Sequence, residues 1–430
     1  MKLLSSLLLT ILSLKPVCWG QYIIHHRNHY TLNNMKKNII TSLLALVCMM
    51  GVGQEKSDLL YIFPSKEIYE TGENMWVMES DSIRRNMADL DFLVQMIETN
   101  YAGFPIIMQK GYNNDYQTMK TDISNLVSTG RIGIQQAVCD YCYWFFSKFD
   151  GHVYVDNLLF RNSYLPKCHI RYGEIFEYVP QPVSCKVNDD TWLIRVPSCQ
   201  GNDPTFQWVA DAIKQYQMSG CSNLIIDIRG NTGGSDAIWE PIVPLLFDHK
   251  PASPEYTLFR NTPKNLAFYQ RIIKENPNDE IAKLVIDNCS KSPDEMVKIE
   301  DDSENEEYPI SSLPKKTAIV IDKSTGSSAE SLVRFAKMYC NTARTKIYGK
   351  ENTWGAQYSG NIIGTPLPNS QICIYYPTCI SSLFLHDGSN GSSGLSPDVH
   401  INLPYPQKLT DNCDEWILWI ADKLNACKES

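Results

Sequence analysis

Apolar positions along the chain fall first at helical spacing and then in short β-type runs. Over residues 83–146, Leu90, Leu93, Val94, Ile97 and Tyr101 recur three and four apart, and "GIQQAVCDYCYWFF" continues the pattern. This predicts a helical N-terminal region. From about residue 153 the runs "HVYVDNLLF", "EIFEYV" and "TWLIRVP" predict strands. Strand and helix then alternate. "TWLIRVP" leads into Asp203-Pro204, an N-cap followed by proline at the first helical position. Phe206, Val209, Ala210 and Ile213 share one face of that helix, which is expected to stop near Gly220. "NLIIDIRG" is apolar without alternation, as a strand buried on both faces would be. "TAIVIDK", a helix lined by Leu332, Val333, Ala336, Tyr339 and Cys340, then "TKIYG" and "QICIYYP" complete the series. Such an order predicts a layered α/β core. Residues 248–314 interrupt it with Pro-rich ends, a helical middle and the acidic run "EDDSENEE". That run reads as a solvated loop, and the insertion as a whole reads as a plain one, with a lid over the site as the alternative.

Composition narrows the class. The chain has 430 residues, enough for more than one domain-sized unit, and a formal net charge of −9. No dense basic patch is present, so a nucleic-acid partner is not expected. Two apolar segments open the sequence, "MKLLSSLLLTILSL" and, from Met35, "MKKNIITSLLALVCMMGVGQ". Neither reaches the roughly 18–20 residues of a membrane span. They read as export signals, with Met35 the true start and cleavage near Gly53. Val47 before Cys48, rather than a small residue, argues against a lipid on Cys48. The expected division is a presequence over 1–53, a helical subdomain over 54–152, a core over 153–408 carrying the 248–314 insertion, and a C-terminal helix over 409–430. Export places the protein in the periplasm, at the cell surface or outside the cell. Setting aside Cys18 and Cys48 leaves 12 of the 14 cysteines. The closest pairs, Cys139/Cys142 and Cys373/Cys379, lack a second pair at zinc spacing, so neither a metal nor another cofactor is expected. These cysteines read as small buried hydrophobes, with one or two bridges.

Three segments carry candidate chemistry. In "VIDKSTGSSAESLVRFAKMYC" a strand bends into a helix, and Ser327-Ser328-Ala329-Glu330 fits a capping box. Ser327 is therefore either a helix cap or a nucleophile placed at a helix N-terminus, beside unpaired N–H groups and the positive end of the dipole. In the second case the Ser328 N–H lies where an oxyanion would form. "IIDIRGNTGGSD" places glycines after a buried strand. It lacks the Gly-Lys-Ser/Thr of a P-loop and the Rossmann spacing. It is a plain turn, or a loop whose Gly233 or Gly234 supplies a second oxyanion donor. "FSKFDGHVYV" presents His152 after an Asp-Gly turn, and imidazole is the usual base for a serine near neutral pH.

The ordered set "DGH", "IIDIRGNTGG", "GSSAE", "YGKENTWGA" and "GLSPDV" resembles the tail-specific (C-terminal processing) serine peptidases over roughly residues 85–405. The resemblance implies a ClpP/crotonase-like spiral of β-β-α units. It also implies Ser327 as nucleophile, and Ser328 with the "NTGG" glycines, Gly233 and Gly234, as the oxyanion hole. Classical members use a Ser–Lys dyad, with lysine just after "T-x-G". Here Thr353-Trp354-Gly355 is followed by Ala356, and Lys350 is out of register. The chain is more similar to the tricorn-core branch, in which a histidine at the position of His152 acts as base. That branch's orienting glutamate is missing, leaving Asp387 and Asp398 as candidates, with Asp150 a neighbour in sequence. The interval between His152 and "TWLIRVP" is too short for a PDZ domain. The expected function is a serine endopeptidase acting on peptides or unfolded polypeptides through an acyl-enzyme. A catalytically inactive binding protein for a peptide or apolar ligand is the alternative, and a crotonase-like acyl-CoA enzyme is disfavoured by the export signal.

Overall fold

The computed structural model describes residues 80–156, 181–201, 203–251, 255–299, 308–386, 391, 393–406 and 413–426. The two leader segments with Met35 and Cys48, the run "EIFEYV", the acidic run 300–307 and Asp387 lie outside the described residues. No helix among the described residues is long and apolar enough to cross a membrane.

The N-terminal region is helical. Helix α1 (Ser80–Asn100) buries Leu90, Leu93, Met96 and Ile97 along one stripe. Helix α2 (Asn113–Ser128) and helix α3 (Ile134–Lys148) pack with it around Tyr116, Tyr141 and Phe145. The turn after α3 carries the Asp-Gly-His motif and leads into strand β1 (Tyr154–Val155).

A six-stranded sheet follows. A hairpin pairs β2 (Val183–Asn188) with β3 (Thr191–Arg195), and α4 (Asp203–Met218) crosses to β4 (Asn223–Asp227). Gly220, with φ 73°, ends the excursion of α4, where a side chain would be strained. Every residue of β4 is buried, as its unbroken apolar run requires of a strand covered on both faces.

The 248–314 insertion is more than a helical loop. It contributes β5 (Thr257–Arg260), α5 (Pro263–Glu275), α6 (Glu280–Lys291) and β6 (Met296–Ile299). The last segments are β7 (Lys316–Val320), α7 (Ser328–Tyr339), β8 (Thr345–Gly349), β9 (Ser359–Pro366), β10 (Cys373–Ser381), β11 (Val399–His400) and α8 (Glu415–Ala426).

The first sheet runs β11-β8-β7-β4-β3-β2, parallel except for the β2–β3 hairpin. Helices α4 and α7 cover one face around Ile226, Ile319 and Leu332, and α8 covers the other with Trp416 and Ile420. The second sheet is antiparallel, in the order β1-β10-β5-β6 with β9 also on β10. The N-terminal helices bury its β9–β10 part, and α5 and α6 pack on β5 and β6. This is a mixed α/β fold with an N-terminal helical layer. The nucleophile candidate rises from one sheet, and the histidine candidate is carried by the other.

Candidate active site

The end of β7 and the start of α7 build the serine's position. Asp322 closes the bend: its Oδ1 accepts the N–H groups of Ser324 and Thr325 at 2.8 and 3.1 Å, and its Oδ2 accepts that of Gly230 at 2.9 Å. One carboxylate thus ties the bend after β7 to the turn after β4. Ser327 follows with φ 54° and ψ −124°. An ordinary N-cap sits in the β region. This backbone is instead the sharp strand-to-helix turn that exposes a serine at a sheet edge, and it is held at a cost in strain.

The surroundings fix that turn. Glu330, fully buried, forms a capping box with Ser327 and accepts the Ser327 N–H on Oε2 at 3.1 Å. It also accepts the Thr353 hydroxyl and the N–H groups of Gly355 and Ala356, the last two at 2.8 Å. Burial raises its pKa, and the four donors oppose that rise.

The glycine loop lies directly on the serine. A Cβ on Gly233 would fall 2.5 Å from Ser327 Cβ and 3.0 Å from its Oγ, and one on Gly234 would fall 2.2 Å from the Cys199 carbonyl carbon. Both glycines have positive φ, 101° and 145°. The Gly233 N–H donates to Asn231 Oδ1 at 2.9 Å. This corrects its place among the oxyanion donors, because the donor is spent inside its own loop. The Gly234 and Ser328 N–H groups make no hydrogen bond to another described residue. The Ser328 hydroxyl donates to Asp236 Oδ1 at 2.6 Å, with Gly234 O at 3.0 Å, so it ties α7 to the glycine loop.

His152 is buried on the turn after α3. Burial lowers its pKa below 6.5, while the carboxylates of Asp150 and Asp236 act in the opposite direction. Its Nδ1 lies 2.9 Å from Ser359 Oγ, at the start of β9. Ser359 in turn donates to Asp150 Oδ1 at 2.6 Å, and Tyr101 donates to Asp150 Oδ2 at 2.8 Å.

Trp354 and Ala356 join the two halves. The Trp354 ring occupies the space a Cβ of Gly326 would need, with Cε3 2.5 Å away, and its Nε1 lies 3.4 Å from the Cβ position of Gly151. The Ala356 methyl lies 3.3 Å from that same Gly151 position. The residue standing where a dyad lysine would be is therefore a methyl packed beneath the histidine's turn. Its N–H shares Glu330 Oε2 with that of Ser327. Asp236 also bridges the halves, bonded to Ser328 and felt at His152.

Other candidates fall elsewhere. Asp398 accepts the Ile347 N–H at 2.8 Å and pairs with Lys337 at 2.9 Å. It is committed to β8 and α7 and does not orient His152; Asp150 is the acid the structure sets beside the ring. Lys350 donates to Leu403 O at 2.9 Å. Ser359 was not singled out from sequence and Tyr101 was read only as an apolar helical position, because a lone serine and a lone tyrosine carry no motif that would place them in a site. Among the described residues there is no group of three His, Cys, Asp or Glu side chains suited to a metal ion.

Residues 190–401 match peptidase family S41, a span that holds Ser327, the glycine loop and Glu330 and begins after His152. No curated protein matches the sequence. Among solved structures, the fold is similar to that of mature CPAF, with TM-score 0.51 and 12% identity over 81% of this chain and 97% of that one. Mature CPAF complexed with lactacystin gives TM-score 0.51 and 12% identity over 81% and 98%. A putative peptidase from Parabacteroides merdae gives TM-score 0.45 and 15% identity over 74% and 90%. Residues 190–401 form a peptidase family S41 domain, and the chain that carries it is a serine-type peptidase.

Proposed function

We infer that Ser327 is the nucleophile and His152 its general base, in an exported endopeptidase acting on peptides or unfolded polypeptides. The observation that carries this reading is the backbone of Ser327: φ 54° and ψ −124° at the N-terminus of α7, locked by a fully buried glutamate. A cap alone has no use for that strain. In the reaction, Ser327 Oγ attacks the scissile carbonyl carbon as its proton passes to His152 Nε2. The tetrahedral oxyanion is held by the Ser328 N–H at the helix N-terminus, with Gly234 as second donor. His152 then returns the proton to the leaving amine, and the second half-reaction repeats the sequence with water in place of the serine. The apolar presequence supports export to the periplasm or cell surface. The interval between His152 and β3 is too short for a PDZ domain, so substrate selection is assigned to the N-terminal helical region, the 248–314 insertion, or both.

A fluorophosphonate probe tests the assignment. Wild type is expected to be labelled at Ser327, and folded Ser327→Ala and His152→Ala to lose labelling by about 10²-fold or more. Absence of labelling in a folded wild type would instead favour a binding protein on this scaffold.

A further inference from the structure

His152 Nδ1 faces a hydroxyl, not a carboxylate. Asp150 Oδ1 lies 3.6 Å from Nδ1, beyond hydrogen-bond length for such a pair. Ser359 Oγ fills the gap, 2.9 Å from Nδ1 and 2.6 Å from Asp150 Oδ1. A hydroxyl has one proton to give. An ionised carboxylate only accepts, so the Ser359 proton points at Asp150 and an oxygen lone pair points at the ring. Nδ1 must then carry the ring proton, which leaves Nε2 with the lone pair a base requires.

The carboxylate is itself held on both oxygens. The His152 N–H donates to Oδ1 at 2.9 Å, and the Tyr101 hydroxyl donates to Oδ2 at 2.8 Å. Tyr101 is fully buried, and burial together with the neighbouring carboxylate pushes its pKa well up, so it stays a donor. Two charged groups reach the ring, Asp150 from its own turn and Asp236 from the turn after the glycine loop.

The geometry points to a relay, Asp150–Ser359–His152, in which Ser359 is a positioning residue. It fixes the imidazole as the Nδ1–H tautomer and transmits the carboxylate's field to the ring. This rests on the reading of Ser327 and His152 as nucleophile and base. When the Ser327 proton arrives at Nε2, the Nδ1 proton stays in place and none crosses to Asp150. The imidazolium is stabilised through the aligned Ser359 dipole.

The test compares Ser359→Ala, Ser359→Thr and Asp150→Asn with wild type, each checked for folding by circular dichroism. Ser359→Ala is expected to lower the probe-labelling rate by about 10–100-fold. It should also move the acid limb of the pH–rate profile to lower pH, because the imidazolium loses an acceptor. Ser359→Thr keeps the hydroxyl and restores both. In Asp150→Asn the amide can donate to Ser359, turning the serine's proton toward the ring, and a loss near 10⁴-fold is expected, the scale of a wrong tautomer. Nitrogen-15 NMR should show Nδ1 protonated in wild type and mixed tautomers in Ser359→Ala. A folded Ser359→Ala with wild-type rate and acid limb overturns the relay while leaving the nucleophile and base in place. So does a loss that Thr fails to restore with the acid limb unmoved. A folded His152→Ala that labels at the wild-type rate removes the base itself, and the relay with it.

Discussion

Burial keeps the His152 ring neutral near pH 7, which is the state a base must start from. Its pKa lies below 6.5 because the charged form loses its water, and Asp150 and Asp236 recover only part of that loss. The acid limb of kcat/KM is therefore expected below pH 6.5, read from initial rates across pH 4–8. The sign for stability is the same. The unfolded chain takes up this proton first as pH falls, so the contribution of the neutral ring is present above 6.5 and fades as pH drops toward the folded-state pKa. At this scale the sequence was informative where chemistry is local. A strand–turn–helix with S-x-x-E marked the bend at Ser327 as a cap or a nucleophile, and Asp-Gly-His marked the turn at His152, while the roles given to both came from the family resemblance. It was silent on Ser359, 207 positions from His152, because a hydroxyl's partner is set by how β9 lies against the turn after α3. Asp398 was carried over by motif order alone, and the structure gives its carboxylate to β8 and α7.

Among the elements, the N-terminus of α7 and the loop between β8 and β9 are joined through Glu330, whose two oxygens serve three backbone N–H groups and a hydroxyl. Glu330→Gln replaces one acceptor oxygen by an amide that donates, aimed at groups that also donate. A loss of about 2–3 kcal/mol in unfolding free energy is expected, from hydrogen bonds to a buried charge. Denaturant titration would read the loss, and a slower labelling of Ser327 should accompany it. Long helices were legible because their periodicity has room to repeat: α1, α3 and α7 stand where the apolar pattern put them, and β4 was legible instead from its unbroken apolar run. β5 and β6 were missed. Each has four residues, too few for an alternating pattern to stand out from a loop, and what makes them strands is pairing with each other and, for β5, with β10. Strands β5 and β6 of the insertion thus belong to the second sheet.

Across the whole molecule, the two sheets meet at the site, and a buried charge cluster closes the first sheet from beneath. Arg195 of β3 donates to Asp227 at 2.6 Å, and Arg229 donates to both Asp227 oxygens at 2.8 Å. Burial would raise the Asp227 pKa, but the two guanidinium groups outweigh it and hold the carboxyl well below the usual range. The second carboxylate is Asp414, 2.6 Å from Arg229, which also receives the N–H groups of Trp416 and Ile417 at the start of α8. All four charged side chains are fully buried. Asp414→Ala leaves two arginines against one carboxylate and is expected to cost about 3–5 kcal/mol, measured as a fall in the urea midpoint. Nothing in the sequence flags this residue, since a single Asp before a helix reads as a cap.

Asp414 comes late in the chain, and the arginines it neutralises come near its middle. Before it joins them, Asp227 alone of the two carboxylates faces both guanidinium groups. Packing of α8 on the sheet brings in the second carboxylate and completes that layer. An ion cluster divided in this way ties β3 and β4 to α8, so the sheet and the helix beneath it are expected to unfold together in denaturant.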